Sequence, residues 1–450
     1  MDAAADTSAR LARFAVDLRW EDIPQAVRHE AKRSLVNFFA TSLAGCNDPA
    51  VVAAARVFAP FRSGQDCTVI GRAQPSDMRH AASLNAMSGN VFDFDDTHMP
   101  TILHPTAPVA PALLALAQTR PVRGCELLAA FVVGVEVEGR LANAVSPWHY
   151  QRGWHITATC GVFGAAAATA RLLGLDATRM RWALGHASAQ SSGLVETLGS
   201  MAKSIGVGNA AANGLLSALL AQEGFEGPAY PIEGPRGVLR VVGHEAREAD
   251  VTQGLGTHWE LMHNAYKPYP CGVVLNPVIE ACLALYTQEG VRLAQVAAVE
   301  LTGHPLLRQR ADRPSPHSGR EAQVSAQHAV ALALDRGRAG LDEFSDDAVA
   351  LGMGPTLAAC FRFVDDASYP VEAARVTLRL HDGRTLSHQV DVARGSLAAP
   401  LSDGDIERKL QDLCAWGGSG CDAERLALAL WALDTSEDAG AVMALAAGRH

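Results

Sequence analysis

Residues 161–173 read Gly-Val-Phe-Gly-Ala-Ala-Ala-Ala-Thr-Ala-Arg-Leu-Leu, and this stretch decides the fold class. Small and apolar residues run around every side of such a helix, so it must be packed on several faces. Small side chains also let neighbouring backbones approach closely. Met180–Ala189 and Asn209–Gln222 carry the same Ala, Gly and Ser bias, and Gly174 and Gly224 stand where C-terminal stops belong. Buried helices of this kind imply a helical core.

Working outward, Ser8–Leu18 places Leu11, Phe14, Ala15 and Leu18 at helical spacing. A second amphipathic stretch starts at Ile23-Pro24, with Val27, Ala31, Leu35 and Phe38 on one face. The pattern changes near Lys267. A helix is expected through Val274–Tyr286 and a strand over Gln295–Thr302. Arg375–Leu380 alternates with Val376, Leu378 and Leu380 on one side, and Asp382-Gly383 is a hairpin signal, with Leu386, Val390 and Val392 on the returning strand. Helical pattern resumes at Ser402–Leu413 and Asp422–Leu433. The expected architecture is mainly α: a discontinuous all-helical domain over 1–265 and 402–450, with a smaller α/β (α+β) domain inserted at 266–401.

At 450 residues the chain exceeds what one core usually supports, which agrees with two domains. With 48% hydrophobic and 19% charged residues, wholesale disorder is excluded. A formal net charge of −10 argues against a nucleic-acid partner, since phosphate neutralisation needs a clustered basic face. The nine cysteines are scattered, and no pair has CxxC spacing, so neither a disulfide framework nor a zinc knuckle is indicated. The start, Met-Asp-Ala-Ala-Ala-Asp, lacks the basic and apolar regions of a signal peptide. The uncharged stretches Thr97–Thr119 and Ser204–Gln222 carry prolines or asparagines and do not read as membrane spans. A reducing cytoplasm is the expected compartment.

Four segments could do chemistry. Asp93-Phe-Asp-Asp-Thr-His98 followed by Leu103-His104-Pro105 concentrates three carboxylates and two imidazoles, an acid/base group in which a carboxylate sets the tautomer of a histidine. A surface cluster of helix-capping aspartates fits the same residues. Asp95, Asp96 and His98 have ligand chemistry, but Met99 stands where a DDxxD motif needs its last acid, so no metal is expected. Tyr150-Gln-Arg152-Gly-Trp-His155 delivers a phenol, a guanidinium and an imidazole just before a buried helix, whose N-terminal N–H groups suit an anion. A semi-buried structural histidine is the plainer reading of His155. Lys203, within Gly199-Ser-Met-Ala-Lys203, is alone in a region otherwise free of charge from Thr197 to Gln222 and should meet a carboxylate. Gly206-Val-Gly208 resembles a dinucleotide fingerprint only weakly, and close helix packing is the expected use of those glycines. Lys267-Pro-Tyr-Pro-Cys271 aims Lys267 and Tyr269 from a stiffened backbone, and a hinge with a solvated lysine would read the same. Nothing beside Cys271 lowers its pKa, so it is not expected to be a nucleophile.

In order, Asp93-Phe-Asp-Asp-Thr with His104-Pro, Gly153-Trp-His155-Ile-Thr-Ala-Thr with Gly174-Leu-Asp, Met201-Ala-Lys203 and Lys267-Pro-Tyr-Pro-Cys271 resemble the MmgE/PrpD family of 2-methylcitrate dehydratase, cis-aconitate decarboxylase and iminodisuccinate epimerase. The opening helices and Ser325-Ala-Gln-His328 extend the resemblance over nearly the whole chain. It implies a helical domain with an α/β lid, a cleft between domains, a homodimer, and no cofactor. It also implies a small di- or tricarboxylate as substrate. His104 and Asp93 would form the catalytic group, with Tyr150 as a second acid/base and Lys203 stabilising charge. His155, Lys203, Lys267 and Arg152 would bind carboxylates. Three positions depart from the family pattern: Asn90, Gly206 and Asn276 stand where histidines are common.

The chemistry expected is proton abstraction next to a carboxylate by a cofactor-independent lyase of the hydratase/dehydratase type, acting on a 2-methylcitrate-like polycarboxylate. The alternatives are an epimerase of an imino- or amino-dicarboxylate such as iminodisuccinate, and a cis-aconitate-type decarboxylase. A non-enzymatic binding protein is disfavoured by the intact Asp93, His104, His155, Lys203 and Lys267.

Overall fold

The computed structural model describes residues 6–64 and 66–449; residues 1–5, part of the stretch read above for a targeting signal, lie outside them. The chain divides into two compact units. The larger comprises Met1–Val91, Asp95–Asn264 and Ser402–His450, and the smaller comprises Phe92–Phe94 and Ala265–Leu401. The mainly α class is observed, with strand confined to small sheets.

The helices of the larger unit begin where short polar side chains satisfy free N–H groups. Asp6 caps Thr7–Asp17, Asp48 caps Pro49–Phe58, Asp77 caps Met78–Asn90 and Asp176 caps Ala177–Ser188. Ser402 and Asp405 form a reciprocal capping box at Asp403–Gly417. Thr106–Ala117 is apolar all round and every one of its residues is buried, as a helix surrounded by others must be.

Close approach through small residues is visible atom by atom. A Cβ on Gly214 would lie 2.4 Å from the Ala165 Cβ, and one on Gly134 would lie 2.6 Å from Val109 Cγ1 and 2.9 Å from the Gly164 carbonyl oxygen. These glycines are therefore the contact surfaces between Gly124–Val145, Ile156–Leu172 and Ala202–Gln222. Two of the helices start earlier than the sequence suggested, at Ile156 and at Ala202. Lys203 and Gly206 thus lie inside the first turns of a helix. Among the described residues, Ala202–Gln222 is the helix long and apolar enough to cross a membrane, and 61% of its apolar window is buried inside the protein.

The smaller unit has a four-stranded sheet in the order Phe361–Asp365, Val296–Gly303, Ala374–Leu380, Thr385–Val390. The first pair is parallel and the rest are antiparallel. Val376, Leu378 and Leu380 all face the core, and Leu378 pairs with Leu386. Gly383 takes φ 89° in the hairpin, a conformation open to glycine at little cost. Val392, assigned above to the returning strand, lies beyond its end and is exposed. The strand Phe361–Asp365 was not foreseen. Helices Asn276–Gln288 and Ala326–Arg336 contribute Val278, Ile279, Cys282, Val330 and Leu334 to one core with Val299, Leu301 and Val376.

Candidate active site

The segment after the Met78–Asn90 helix is irregular and strained. Asp93 and Ile102 adopt positive φ, 52° and 59°, although neither is glycine. Such strain persists only where the surroundings impose it, and it concentrates at functional sites. Between them Asp95, Asp96, Thr97 and His98 are buried, as is His104. The surface-cap reading of this acidic cluster is thereby removed.

His104 is held from one side. Its Nδ1 lies 2.7 Å from the Asp96 carbonyl oxygen and 3.2 Å from Asp95 Oδ1. A carbonyl oxygen only accepts, so Nδ1 carries the proton and Nε2 carries the lone pair. The two acids are themselves fixed. Asn90 Nδ2 donates to Asp95 Oδ2 at 2.7 Å. Thr106 Oγ1 and Asn264 Nδ2 donate to Asp96 Oδ2 at 2.5 and 2.6 Å. Asn90, noted above as a departure, therefore orients the carboxylate beside the histidine. Asp95 and His104 are also of the type that could hold a cation, and their Oδ1 and Nδ1 atoms stand 3.2 Å apart.

Burial, reinforced by the charge of Asp95, pushes Asp96 up to about 7, with the Thr106 and Asn264 hydrogen bonds pulling the other way. Beneath it lies a group that the sequence reading missed. Glu138, on the Gly124–Val145 helix, is fully buried, and neither carboxyl oxygen has a hydrogen-bond partner among the described residues. Burial, then the nearby Asp96, raises it well above the ordinary carboxyl range. Gly164 makes room for it, since a Cβ there would lie 2.5 Å from Glu138 Oε2. The signal was present in Val-Glu-Val-Glu at 135–138, two acids inside an apolar helix.

These shifts fix the direction of a pH effect. The unfolded chain releases its carboxyl protons near the ordinary values of 3.8 and 4.5, whereas the folded chain retains them to higher pH. The stability they carry is complete below those values and is lost as pH rises through about 7 for Asp96. Each unit of pH in that window removes about 1.4 kcal/mol per group. Denaturant midpoints are expected to fall between pH 5 and pH 7.5 for the native chain and to fall less for Glu138→Gln. An equally steep profile in the variant would show that Glu138 does not hold its proton.

The second segment meets the first. His104 donates its backbone N–H to Thr157 Oγ1 at 3.1 Å, in the first turn of the Ile156–Leu172 helix, and the N-cap of that helix is His155, which is buried. Its neighbour His149 is structural: Nε2 is 2.7 Å from Thr159 Oγ1 and Nδ1 is 2.9 Å from the Val242 carbonyl oxygen. Tyr150 is half-buried in the short helix Trp148–Gln151. Arg152 is exposed, its guanidinium 5.3 Å from the centre of the Trp148 ring, and stands apart from the buried group.

Lys203, half-buried, is the second residue of Ala202–Gln222. Gly206, one turn on and on the same face, has its Cβ position 3.5 Å from the Ala158 Cβ, an ordinary contact and the one heavy atom within 4 Å. That face of the helix therefore looks towards the turn capped by His155. Gly208 is different: a Cβ there would lie 2.7 Å from Ser83 Oγ. The expectation of close packing holds for Gly208 and fails for Gly206.

In the smaller unit Lys267 is buried, and its Nζ donates to the Asp93 Oδ2 and carbonyl oxygens, both at 2.9 Å. Gln323 Nε2 donates to the Phe92 carbonyl oxygen at 2.7 Å and so fixes the same tripeptide. The solvated-hinge reading of Lys267 is excluded by this burial. Cys271 is fully buried and its thiol is pushed upward by desolvation, which removes it as a nucleophile.

Residues 9–249 match the MmgE/PrpD N-terminal domain, and residues 269–435 match the MmgE/PrpD C-terminal domain. The chain belongs to the MmgE/PrpD family. Its relatives within the MmgE/PrpD proteins include the cis-aconitate decarboxylase-like protein oryM of Aspergillus oryzae, 27% identical, with 98% of this chain and 98% of the relative covered. Cis-aconitate decarboxylase of Aspergillus terreus is 28% identical over 94% of this chain and 92% of its own length. The human cis-aconitate decarboxylase is 26% identical over 86% and 83%. The C-terminal family match continues past Leu401, into helices that pack with the larger unit.

Proposed function

We propose that this MmgE/PrpD protein is a carboxy-lyase acting on a small unsaturated tricarboxylate of the cis-aconitate type. The observation that carries the reading is His104, buried and held through Nδ1 by the Asp96 carbonyl and Asp95, which fixes the tautomer with the basic lone pair on Nε2. Relatives matched along most of the chain bear the decarboxylase name, which favours carbon–carbon cleavage over the dehydration expected from sequence.

In such a reaction the electron pair of a C–CO₂⁻ bond passes into the adjacent double bond, and CO₂ leaves. The resulting allylic carbanion is delocalised onto a remaining carboxylate, and a proton ends on the far carbon. His104 as imidazolium delivers that proton from Nε2 and returns to the Nδ1–H form that Asp96 already stabilises. Asp95 balances the imidazolium charge beforehand. Lys203 and the helix N-terminus at His155 hold carboxylates, and donors fixed in a water-poor setting stabilise developing charge without reorganising. Tyr150 is the second group able to exchange a proton. No step calls for a cofactor.

Proton NMR of the purified chain with cis-aconitate, 2-methylcitrate and iminodisuccinate tests the reading. Loss of CO₂ from cis-aconitate, persisting after EDTA treatment, is the expected result. Alkene formation from 2-methylcitrate would replace it with a dehydratase, and deuterium exchange at Cα without bond cleavage with an epimerase. Ligand-induced thermal stabilisation without turnover would replace it with a binding protein.

A further inference from the structure

The mechanism above leaves Glu138 unused. Its carboxyl group is fully buried, and among the described residues neither oxygen has a hydrogen-bond partner. Asp96 is in the same state on one side: Oδ2 accepts from Thr106 and Asn264, while Oδ1 is buried and unpartnered. The surroundings bring the two acids together. Thr106, which bonds Asp96, opens the helix Thr106–Ala117, and Pro108 Cγ of that helix lies 2.6 Å from the Cβ position of Gly161. The same Cβ position is 3.4 Å from Glu138 Oε2, and Asp96 is the charged group that acts on Glu138. The neighbouring titratable groups are engaged elsewhere or neutral. Glu136 and Arg140, on the same helix as Glu138, pair at 3.2 Å, and Glu260 faces His98 at 3.1 Å. Cys160, on Ile156–Leu172, keeps its thiol proton, pushed up to about 12 by burial and then by Glu138. Thr106–Ala117 carries no titratable side chain.

We propose that Glu138 is a positioning residue that keeps its proton and hydrogen-bonds, through one internal water, to the free oxygen of Asp96. Buried waters are retained where they bridge polar groups that otherwise go unsatisfied, and two such carboxyl groups face each other here. The acid O–H donates to the water, the water donates to Asp96 Oδ1, and one negative charge serves both groups. A donor of this kind favours the ionised form of Asp96, against the burial that pushes it up to about 7. That charge lies beside His104, whose Nδ1–H is held by the Asp96 carbonyl oxygen 2.7 Å away. It favours the imidazolium form of His104, and the inference rests on the choice of His104 as proton carrier made under the carboxy-lyase reading.

Histidine NMR tests this without a substrate, so its failure is separable from failure of the carboxy-lyase assay. The His104 resonance is the one missing from His104→Asn. In Glu138→Leu, which removes the donor, Asp96 holds its proton to higher pH and the His104 titration is expected to fall by about one pH unit. Glu138→Gln keeps a donor of similar reach and should restore most of that value. The alkaline limb of kcat should move with the titration, a loss of about tenfold above the limb for Glu138→Leu. An unchanged titration in both variants would make Glu138 a filler of space, and equal displacement in both would make it a charged carboxylate; either result overturns the proposal. Should Glu138→Leu not fold, infrared difference spectra of the native chain minus Glu138→Gln at pH 8 decide. The C=O stretch of a protonated carboxyl group is expected there, and its absence overturns the proposal.

Discussion

His104→Asn is expected to lower kcat on the carboxylate substrate by about 10²–10⁴-fold, with the melting temperature held. Asparagine places its amide nitrogen where Nδ1 stands and keeps an N–H that can donate to the Asp96 carbonyl, so the buried hydrogen bond survives. What it lacks is a second nitrogen able to gain and release a proton near neutral pH. The loss should therefore fall on kcat, with KM close to the native value. Asp95→Asn should fall between the two, because Asn90 can still bond the side chain while the charge that balances an imidazolium is gone. Initial rates across pH settle the matter. A raised KM with kcat intact would make His104 a binding group and transfer the proton to another residue.

Asp93→Asn is expected to destabilise the smaller unit by about 3 kcal/mol, the lower end of what removing one partner of a buried ion pair costs. Lys267 is 3% exposed and would keep its charge while losing the carboxylate 2.9 Å away. Asparagine is the informative replacement because, like aspartate, it tolerates the left-handed backbone found here. Adding Lys267→Met should restore most of the loss, since a neutral apolar side chain leaves no buried charge to satisfy. Denaturant unfolding of the three variants measures this, and a double variant no more stable than Asp93→Asn would show that the ammonium is not the source of the cost.

Legibility in the sequence followed the range of the interactions. Runs of Ala, Gly and Ser announced the buried helices because small residues at close crossings are a local necessity. Asp382-Gly383 announced the hairpin because the turn is set by its own two residues. The strand Phe361–Asp365 escaped notice because it lies at the edge of the sheet and its burial barely alternates. The helix starts at Ile156 and Ala202 were placed late, since Thr157, Thr159 and Gly206 weaken the helical pattern there. His104 and His155 could be named as candidates. What holds His104 could not: Asn264 reaches Asp96 across 168 positions of sequence, and the role of a backbone carbonyl is invisible to any reading of side chains. Glu138 stays hidden in the sequence because an acid in an apolar helical run reads equally as a solvent-facing position, and only the packing around Gly164 shows it buried.

Gly206 has a consequence for how such a protein changes over time. A helix interior disfavours glycine, and here no crowding neighbour compensates for that preference, so an added methyl displaces nothing. One turn from Lys203, that makes the position a tuning point. A single codon can therefore change the side chain beside Lys203, the group proposed to hold a carboxylate, while the surrounding scaffold stays as it is.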